Sequence, residues 1–307
     1  MTRSIPSARL RDWAELLRLP ALFTVPGDAL AGAAAAGLRP NRGTTYAACA
    51  SLCLYQAGMA LNDWADRDED AVDRPHRPVP SGRIPPTAAL GAAGLLTVAG
   101  LTSAARAGRP ALGLASALTA TVWAYDLRLK HTPAAPAAMA AARALDLLLG
   151  ATATRTVPDA TRTRRSAAGT AQPPLRTAVP ALALAAHTYA VTVVSRHEAH
   201  GGSTLTPLAA LTTTTVLGLL LARASASTGL VPAWAAAAYV RTAAVPCLHA
   251  ALNPSPHLTQ RAVSGGIRAM IPLQAALAAR SGASATALAV LGLAPVARTL
   301  ARKVSPT

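Results

Sequence analysis

The sequence predicts an all-α fold: a polytopic transmembrane helical bundle of nine or ten helices, forming one integral membrane domain over residues 1–307. Three observations predict it. Hydrophobic residues make up 52% of the chain and charged ones only 14%, where a soluble domain carries about a quarter. The charges are confined to short intervals between long runs of Ala, Leu, Val and Thr, which a bilayer solvates and water does not. Small residues recur inside those runs, as in AGAAAAG at 31–37, and such stretches let helices approach closely in lipid.

Taken along the chain, the basic and polar start MTRSIPSARLRDWAELLRLP shows no cleavable signal pattern and reads as a cytoplasmic, amphipathic lead into the first helix. A window of about 19 residues then places spans at 16–38, 44–61, 87–105, 110–127 and 134–154, a first half over about 16–154. The Thr/Pro/Arg-rich stretch 155–176 follows as a polar linker. A second half, about 177–300, holds spans at 177–195, 206–223, 230–251, 262–280 and 283–300. Its last two spans share the short connector Ser281-Gly282, which leaves the count at nine or ten.

Cys49, Cys53 and Cys247 lie inside apolar spans without CxxC spacing, so they make no disulfide framework and read as packing residues. The formal charge is +16, from 29 Lys and Arg against 13 acids. In a multi-pass protein these cations anchor and orient helix ends. No soluble face exists for a basic stripe, which excludes nucleic acid as a partner. Placing residues 62–85 in the cytoplasm also puts Arg3, Arg9, Arg11, Arg18, Arg128, Lys130, Arg298, Arg302 and Lys303 there, but leaves the five arginines of 154–176 outside.

Against that basic background, LNDWADRDEDAVDRPHRPVPSGRI at 61–84 packs six acidic side chains into the eleven residues 63–73. Asp66-x-Asp68-x-Asp70 opens like an EF-hand, but Ala71 stands where the turn needs Gly and Arg77 where the bidentate Glu belongs. A solvated helix end, with the acids paired to Arg67, Arg74 and Arg77, is the plain alternative. The spacing argues for more. Asn62, Asp66 and Asp70 fall at i, i+4 and i+8, one helical stripe with steps of about 6 Å. Like charges so placed destabilise a bare helix and call for a cation. Carboxylates at that separation suit Mg²⁺ ions that keep several waters and share phosphate oxygens with a substrate. A diphosphate spans the distance, and the apolar helix behind the stripe suits a hydrocarbon tail. A prenyl diphosphate has that shape.

Asn62-x-x-x-Asp66-x-x-x-Asp70 followed by DRPHRPVPSGRI resembles the first signature of the UbiA superfamily of intramembrane prenyltransferases, N-x-x-x-D-x-x-x-D and then R-P-[aliphatic]-x-x-G. The order of elements is similar too: helix pair, acidic loop, helix pair ending YDLRLKHTP (125–133), and a second loop after the sixth helix. The resemblance implies two pseudo-equivalent halves facing each other across a cavity, and Mg²⁺-diphosphate on the first motif. At the second motif, where the family has another Asp-rich stretch, the chain reads VVSRHEAHGGS (193–203), with Glu198 as its one acid. HEAH is one residue short of the HExxH zinc pattern and has no third ligand. The stretch resembles a divergent UbiA-like branch found with ebo-type gene clusters.

The expected mechanism places Mg²⁺ on Asp66 and Asp70, with Asn62 as a neutral oxygen ligand and Glu198 from the opposite half. Asp66, Asp70 and Glu198 are the catalytic set, while Arg74, Arg77, Lys130 and Arg196 clamp the diphosphate. The allylic cation is captured by an acceptor the sequence does not name. Asp28, Arg143, Asp146, Arg241 and Arg268 lie at membrane depth, where charge is expensive and functional by default. Asp28, Arg143 and Asp146 suggest an acceptor pocket, or, for the last two at i, i+3, mutual neutralisation. A cation or small-molecule transporter would explain those three without chemistry, but not the Asn62/Asp66/Asp70 stripe before Arg77-Pro78. A lipid-diphosphate-binding protein of the same fold would explain the reduced second motif.

Overall fold

The computed structural model describes residues 5–157, 175–225 and 230–304. Among them are twelve α-helices and no strand: α1 (Ile5–Leu16), α2 (Val25–Ala35), α3 (Arg42–Ala65), α4 (Arg67–Asp73), α5 (Pro86–Arg106), α6 (Arg109–Ala124), α7 (Ala135–Thr156), α8 (Leu175–Ser195), α9 (Leu205–Ser225), α10 (Leu230–Leu252), α11 (Pro256–Arg280) and α12 (Ser284–Val304). Each of the ten expected spans contains a helix. Six of them, α5 and α7 to α11, are long and apolar enough to cross a membrane, and 21 residues of helix cover about 30 Å, the thickness of the hydrocarbon core. The chain is an integral, multi-pass membrane protein. Most of the linker 155–176 lies outside the described residues.

The first span departs from the expected single helix over 16–38. A 3-10 turn at Leu19–Thr24 precedes α2, and Pro20 and Pro26 begin the two segments. Proline fits the first turn of a helix and breaks its interior, so two prolines six residues apart divide the run. Arg18, just before, takes a left-handed conformation with φ 46°, so α1 does not run straight into α2. Arg83 holds α1 against the loop after α4, bonding Asp12 at 2.6 Å and Glu15 at 2.8 Å.

The core is built mainly of alanine. Ala47, Ala50 and Leu54 of α3 pack with Ala104 of α5, Ala115 and Leu118 of α6, and Leu149 and Ala153 of α7. The two halves share one core: Ala31, Ala34 and Leu147 of the first pack with Leu184, Tyr239, Leu273 and Leu277 of the second. In the second half the buried His187 ring bonds the Tyr239 hydroxyl and the Gly266 carbonyl, both at 3.0 Å, which ties α8 to α10 and α11. At the start of α3, the Asn41 carboxamide caps the helix and also donates to the Thr154 carbonyl at 3.0 Å, locking α3 to the end of α7.

The AGAAAAG run shows what small residues do here. A Cβ on Gly150 would lie 2.7 Å from the Ala29 carbonyl oxygen, and one on Gly32 would press on the Leu147 carbonyl. The α2 and α7 backbones therefore touch. Gly150→Val is expected to destabilise the folded protein by about 2–3 kcal/mol, read from thermal unfolding in detergent. Wild-type stability in this variant would mean that α2 and α7 separate freely.

Because the long helices alternate in direction, the connectors fall at two ends of the bundle. Residues 66–85, 125–134, 196–204 and 253–255 share one end. Polar contacts bind three of these together: Lys130 pairs with Asp66, and Arg196 donates to the Thr132 carbonyl at 3.1 Å.

Candidate active site at the acidic end of the bundle

The stripe is continuous although α3 and α4 are separate helices. Only Asp66 lies between them, and the amide chain is unbroken: Asp66 N–H donates to the Asn62 carbonyl at 2.9 Å and Asp70 N–H to the Asp66 carbonyl at 2.7 Å. Asn62, Asp66 and Asp70 thus remain one turn apart, as the spacing requires. Asp66 is 8% and Asp70 2% exposed. Carboxylates so withdrawn from water need cations or donors.

Each buried acid has one. Arg77 reaches Asp70 at 2.6 Å and Asp63 at 3.5 Å; Arg74 lies 3.6 Å from Asp70; Arg18 lies 3.4 Å from Asp63; Lys130 pairs with Asp66. The R-P-x-x-x-G part of the motif makes this possible. Ser81 N–H returns to the Arg77 carbonyl and Ile84 N–H to the Pro78 carbonyl, both at 3.0 Å, and Gly82 supplies the positive φ of 75° that closes the turn. That compact loop fixes the Arg77 backbone beneath Asp70.

The result is a compact cluster. The carboxyls of Asp63, Asp66, Asp70 and Asp126 face the cations Arg18, Arg74, Arg77 and Lys130, and burial pushes the Asp126 carboxyl up to about 7. The π turn at Tyr125–Leu129 ends α6 and sets both Asp126 and Lys130 against α3. Asp63, Asp126 and Arg18 are site residues that the four-residue spacing does not reveal, since Arg18 pairs across 45 positions and Asn62 meets Asp126 across 64.

For a metal, the expectation from the sequence is Asn62, Asp66, Asp70 and Glu198. Among the described residues, one group of three metal-capable side chains converges, Asp66, Glu69 and His131, with ligand atoms all within 4.8 Å of one another. Asp70, one turn further along the stripe, is paired with Arg77 and Arg74. Glu198 lies on the facing loop. Burial pushes its carboxyl above the usual glutamate range, and the nearby Arg74 guanidinium pulls the other way. Arg74 therefore stands between the two loops, touching Asp70 on one and sensed by Glu198 on the other. His197 and His200 join no converging metal group among the described residues. The oxygen-rich set around Asp66 fits a hard divalent cation such as Mg²⁺.

Asp28, Arg143 and Asp146 form a separate cluster deeper in the bundle. Arg143 pairs with Asp28 of α2 instead of neutralising Asp146 alone, because Asp28, fully buried, faces it across the α2–α7 contact. Gln274 of α11 donates to Asp28 at 2.8 Å and to the Thr24 carbonyl at 2.7 Å, and Ser51 donates to Asp146. Arg241 and Arg268 are exposed on α10 and α11.

The sequence profile of the UbiA prenyltransferase family matches residues 21–261, from the 3-10 turn before α2 through the second loop into α11. The chain belongs to the UbiA prenyltransferase family. Among its relatives, the digeranylgeranylglyceryl phosphate synthase of Methanopyrus kandleri is 35% identical over 130 residues, 40% of this chain and 46% of that one. The protoheme IX farnesyltransferase of Acidiphilium cryptum is 39% identical over 94 residues, 29% of each chain. These matches span less than half the length of either relative. UbiA homologues also share the fold: one from Aeropyrum pernix K1, with TM-score 0.64 at 16% identity over 80% of this chain and 94% of that one, and one from Archaeoglobus fulgidus, bound to GPP and Mg²⁺, with TM-score 0.57 at 13% identity over 92% and 99%.

Proposed function

We propose that this UbiA-family protein transfers a prenyl group from a prenyl diphosphate to an acceptor within the membrane, in a Mg²⁺-dependent reaction at a site facing the cytoplasm. The observation that carries the reading is the cluster of buried acids paired with cations at the mouth of an apolar bundle. It is supported by family membership, by relatives named as a digeranylgeranylglyceryl phosphate synthase and a farnesyltransferase, and by a homologue of the same fold bound to GPP and Mg²⁺. We take the chain as one membrane domain whose two halves, about 16–154 and 177–300, are pseudo-equivalent.

Asp66 and Asp70, with Asn62 as a neutral ligand, would hold Mg²⁺, and Glu69 and His131 widen the donor set beside Asp66. When bound, the metal neutralises the charge that develops on the departing diphosphate. Arg74, Arg77 and Lys130 now lie on carboxylates. As phosphate oxygens enter, these cations exchange one anionic partner for another with little movement, so the pocket is preorganised for a charged head group. Arg196 closes the site from the second loop. The allylic C–O bond breaks, its electron pair leaves with the diphosphate, and the acceptor's nucleophile bonds to the vacated carbon and gives up a proton. We place the acceptor's polar part at Arg143, Asp28 and Asp146. Arg143 lies about 12 Å along α7 from its acidic-end start and keeps 18% side-chain exposure.

Release of diphosphate by purified protein from geranyl, farnesyl and geranylgeranyl diphosphate, with and without Mg²⁺, tests this reading. Mg²⁺-dependent release with at least one substrate is expected. Tight binding without release would make the chain a lipid-diphosphate binder; neither binding nor release with any substrate would overturn the proposal.

A mostly hydrated Mg²⁺ needs only one or two protein carboxylates, so a lone Glu198 suffices at the second loop. Glu198→Gln is therefore expected to lower turnover by about tenfold or more while changing prenyl diphosphate affinity little, because metal on the leaving group matters most as its charge develops. Full turnover in Glu198→Gln, together with an inactive Arg196→Ala, would instead make the second loop a cationic phosphate clamp.

A further inference from the structure

The end of the bundle opposite the acidic site carries a second feature. Between Ala34 at the end of α2, Arg176 and Val179 at the start of α8, and Leu277, Arg280 and Ser281 at the end of α11 lies a cleft of about 430 Å³. It opens at the seam of the two halves. Its walls are apolar, and Val179 is 48% exposed toward the surroundings of the bundle. Arg176 and Arg280, both exposed, stand at its rim with the Ser281 hydroxyl.

The charge distribution makes this cleft unlike the acidic end. Every described charged side chain at this end is an arginine, among them Arg39, Arg106, Arg155 and Arg223, and no described Asp or Glu lies there. Arg176 and Arg280 thus have no acidic side chain of the described chain as counter-ion. At the edge of a bilayer the anion at hand is a lipid phosphate, and guanidinium forks match its oxygens in a bidentate way. The volume falls in the range of small-molecule sites, roughly 300–1,000 Å³. Apolar walls below and two cations above match the order of acyl chain and head group in a lipid.

We propose that this cleft holds an anionic phospholipid, its phosphate between Arg176 and Arg280 and its first acyl segment against Ala34, Val179 and Leu277. The lipid would join α2 to α8 and α11 at a face remote from the prenyl diphosphate site. This assignment stands apart from the proposed reaction and does not rest on it.

The test uses the full chain, delipidated in a neutral detergent and titrated with phosphatidylglycerol, phosphatidylcholine or inorganic phosphate, read by melting temperature and by retained lipid in native mass spectrometry. Phosphatidylglycerol is expected to raise the melting temperature and to remain bound, and phosphatidylcholine is not. Arg176→Gln and Arg280→Gln should each weaken retention by about fivefold, and Arg106→Gln, on the same face outside the cleft, should leave it unchanged. Equal effects of the two lipids would overturn the proposal. So would an Arg106→Gln loss as large as that of the cleft variants, which would mean diffuse attraction, or an equal shift with inorganic phosphate alone, which would mean a free-anion site.

Discussion

Asp66→Asn is expected to lower Mg²⁺-dependent prenyl transfer by a factor on the order of 10²–10³, with the protein still folded. Asp66 is the residue on which the two chemical functions of the site meet. Its carboxylate pairs with Lys130, and it is also the common member of the oxygen-rich group with Glu69 and His131. Asparagine keeps the shape and an acceptor oxygen but removes the charge that draws both a metal and Lys130 into place. Asp70→Asn should lose somewhat less, since Arg77 still has Asp63 at 3.5 Å. The measurement is a diphosphate-release assay paired with Mg²⁺-dependent binding of the prenyl diphosphate, and a near-normal melting temperature guards against simple unfolding. If both variants bind and turn over like the wild type, the acidic stripe is only a charge-paired helix end and the proposed site is wrong.

That outcome bears on how far the sequence alone reaches. Composition and hydropathy locate the helices well, because each span is long and separated by charged or Pro/Gly-rich connectors. They fail at Leu19–Thr24, where two prolines override an apolar run. The four-residue spacing of Asn62, Asp66 and Asp70 is local information, and the chain folds it as read. The partners are not local. Arg18 reaches Asp63 only because a left-handed residue and a 3-10 turn redirect the chain after α1, and Asp126 reaches Asn62 only because a π turn ends α6. Neither backbone irregularity has a pattern that periodicity detects. Likewise, i, i+3 spacing suggests that Arg143 and Asp146 satisfy each other, while the tight α2–α7 contact at Gly32 and Gly150 brings in Asp28 as the ion-pair partner. Small residues are visible in the sequence; which backbone they admit is not.

Arg143→Met is expected to destabilise the protein by about 3–5 kcal/mol, the usual consequence of removing one partner of a buried ion pair. Asp28 is fully buried, and without the guanidinium its remaining side-chain neighbours are the Gln274 amide at 2.8 Å and the Asp146 carboxyl. A single neutral donor does not offset the desolvation of a carboxylate in a bundle interior. The double variant Arg143→Met, Asp28→Asn should recover roughly half of the loss. It removes the stranded charge, but Asp146, held by Ser51, still loses its neighbouring cation. Thermal unfolding of the wild type, both single variants and the double variant in one detergent closes the cycle. A double-variant loss equal to the sum of the two single-variant losses would show that the two side chains are not energetically coupled. A fully stable Arg143→Met that binds prenyl diphosphate normally yet fails to transfer the prenyl group would make Arg143 an acceptor contact first and a structural tie only second.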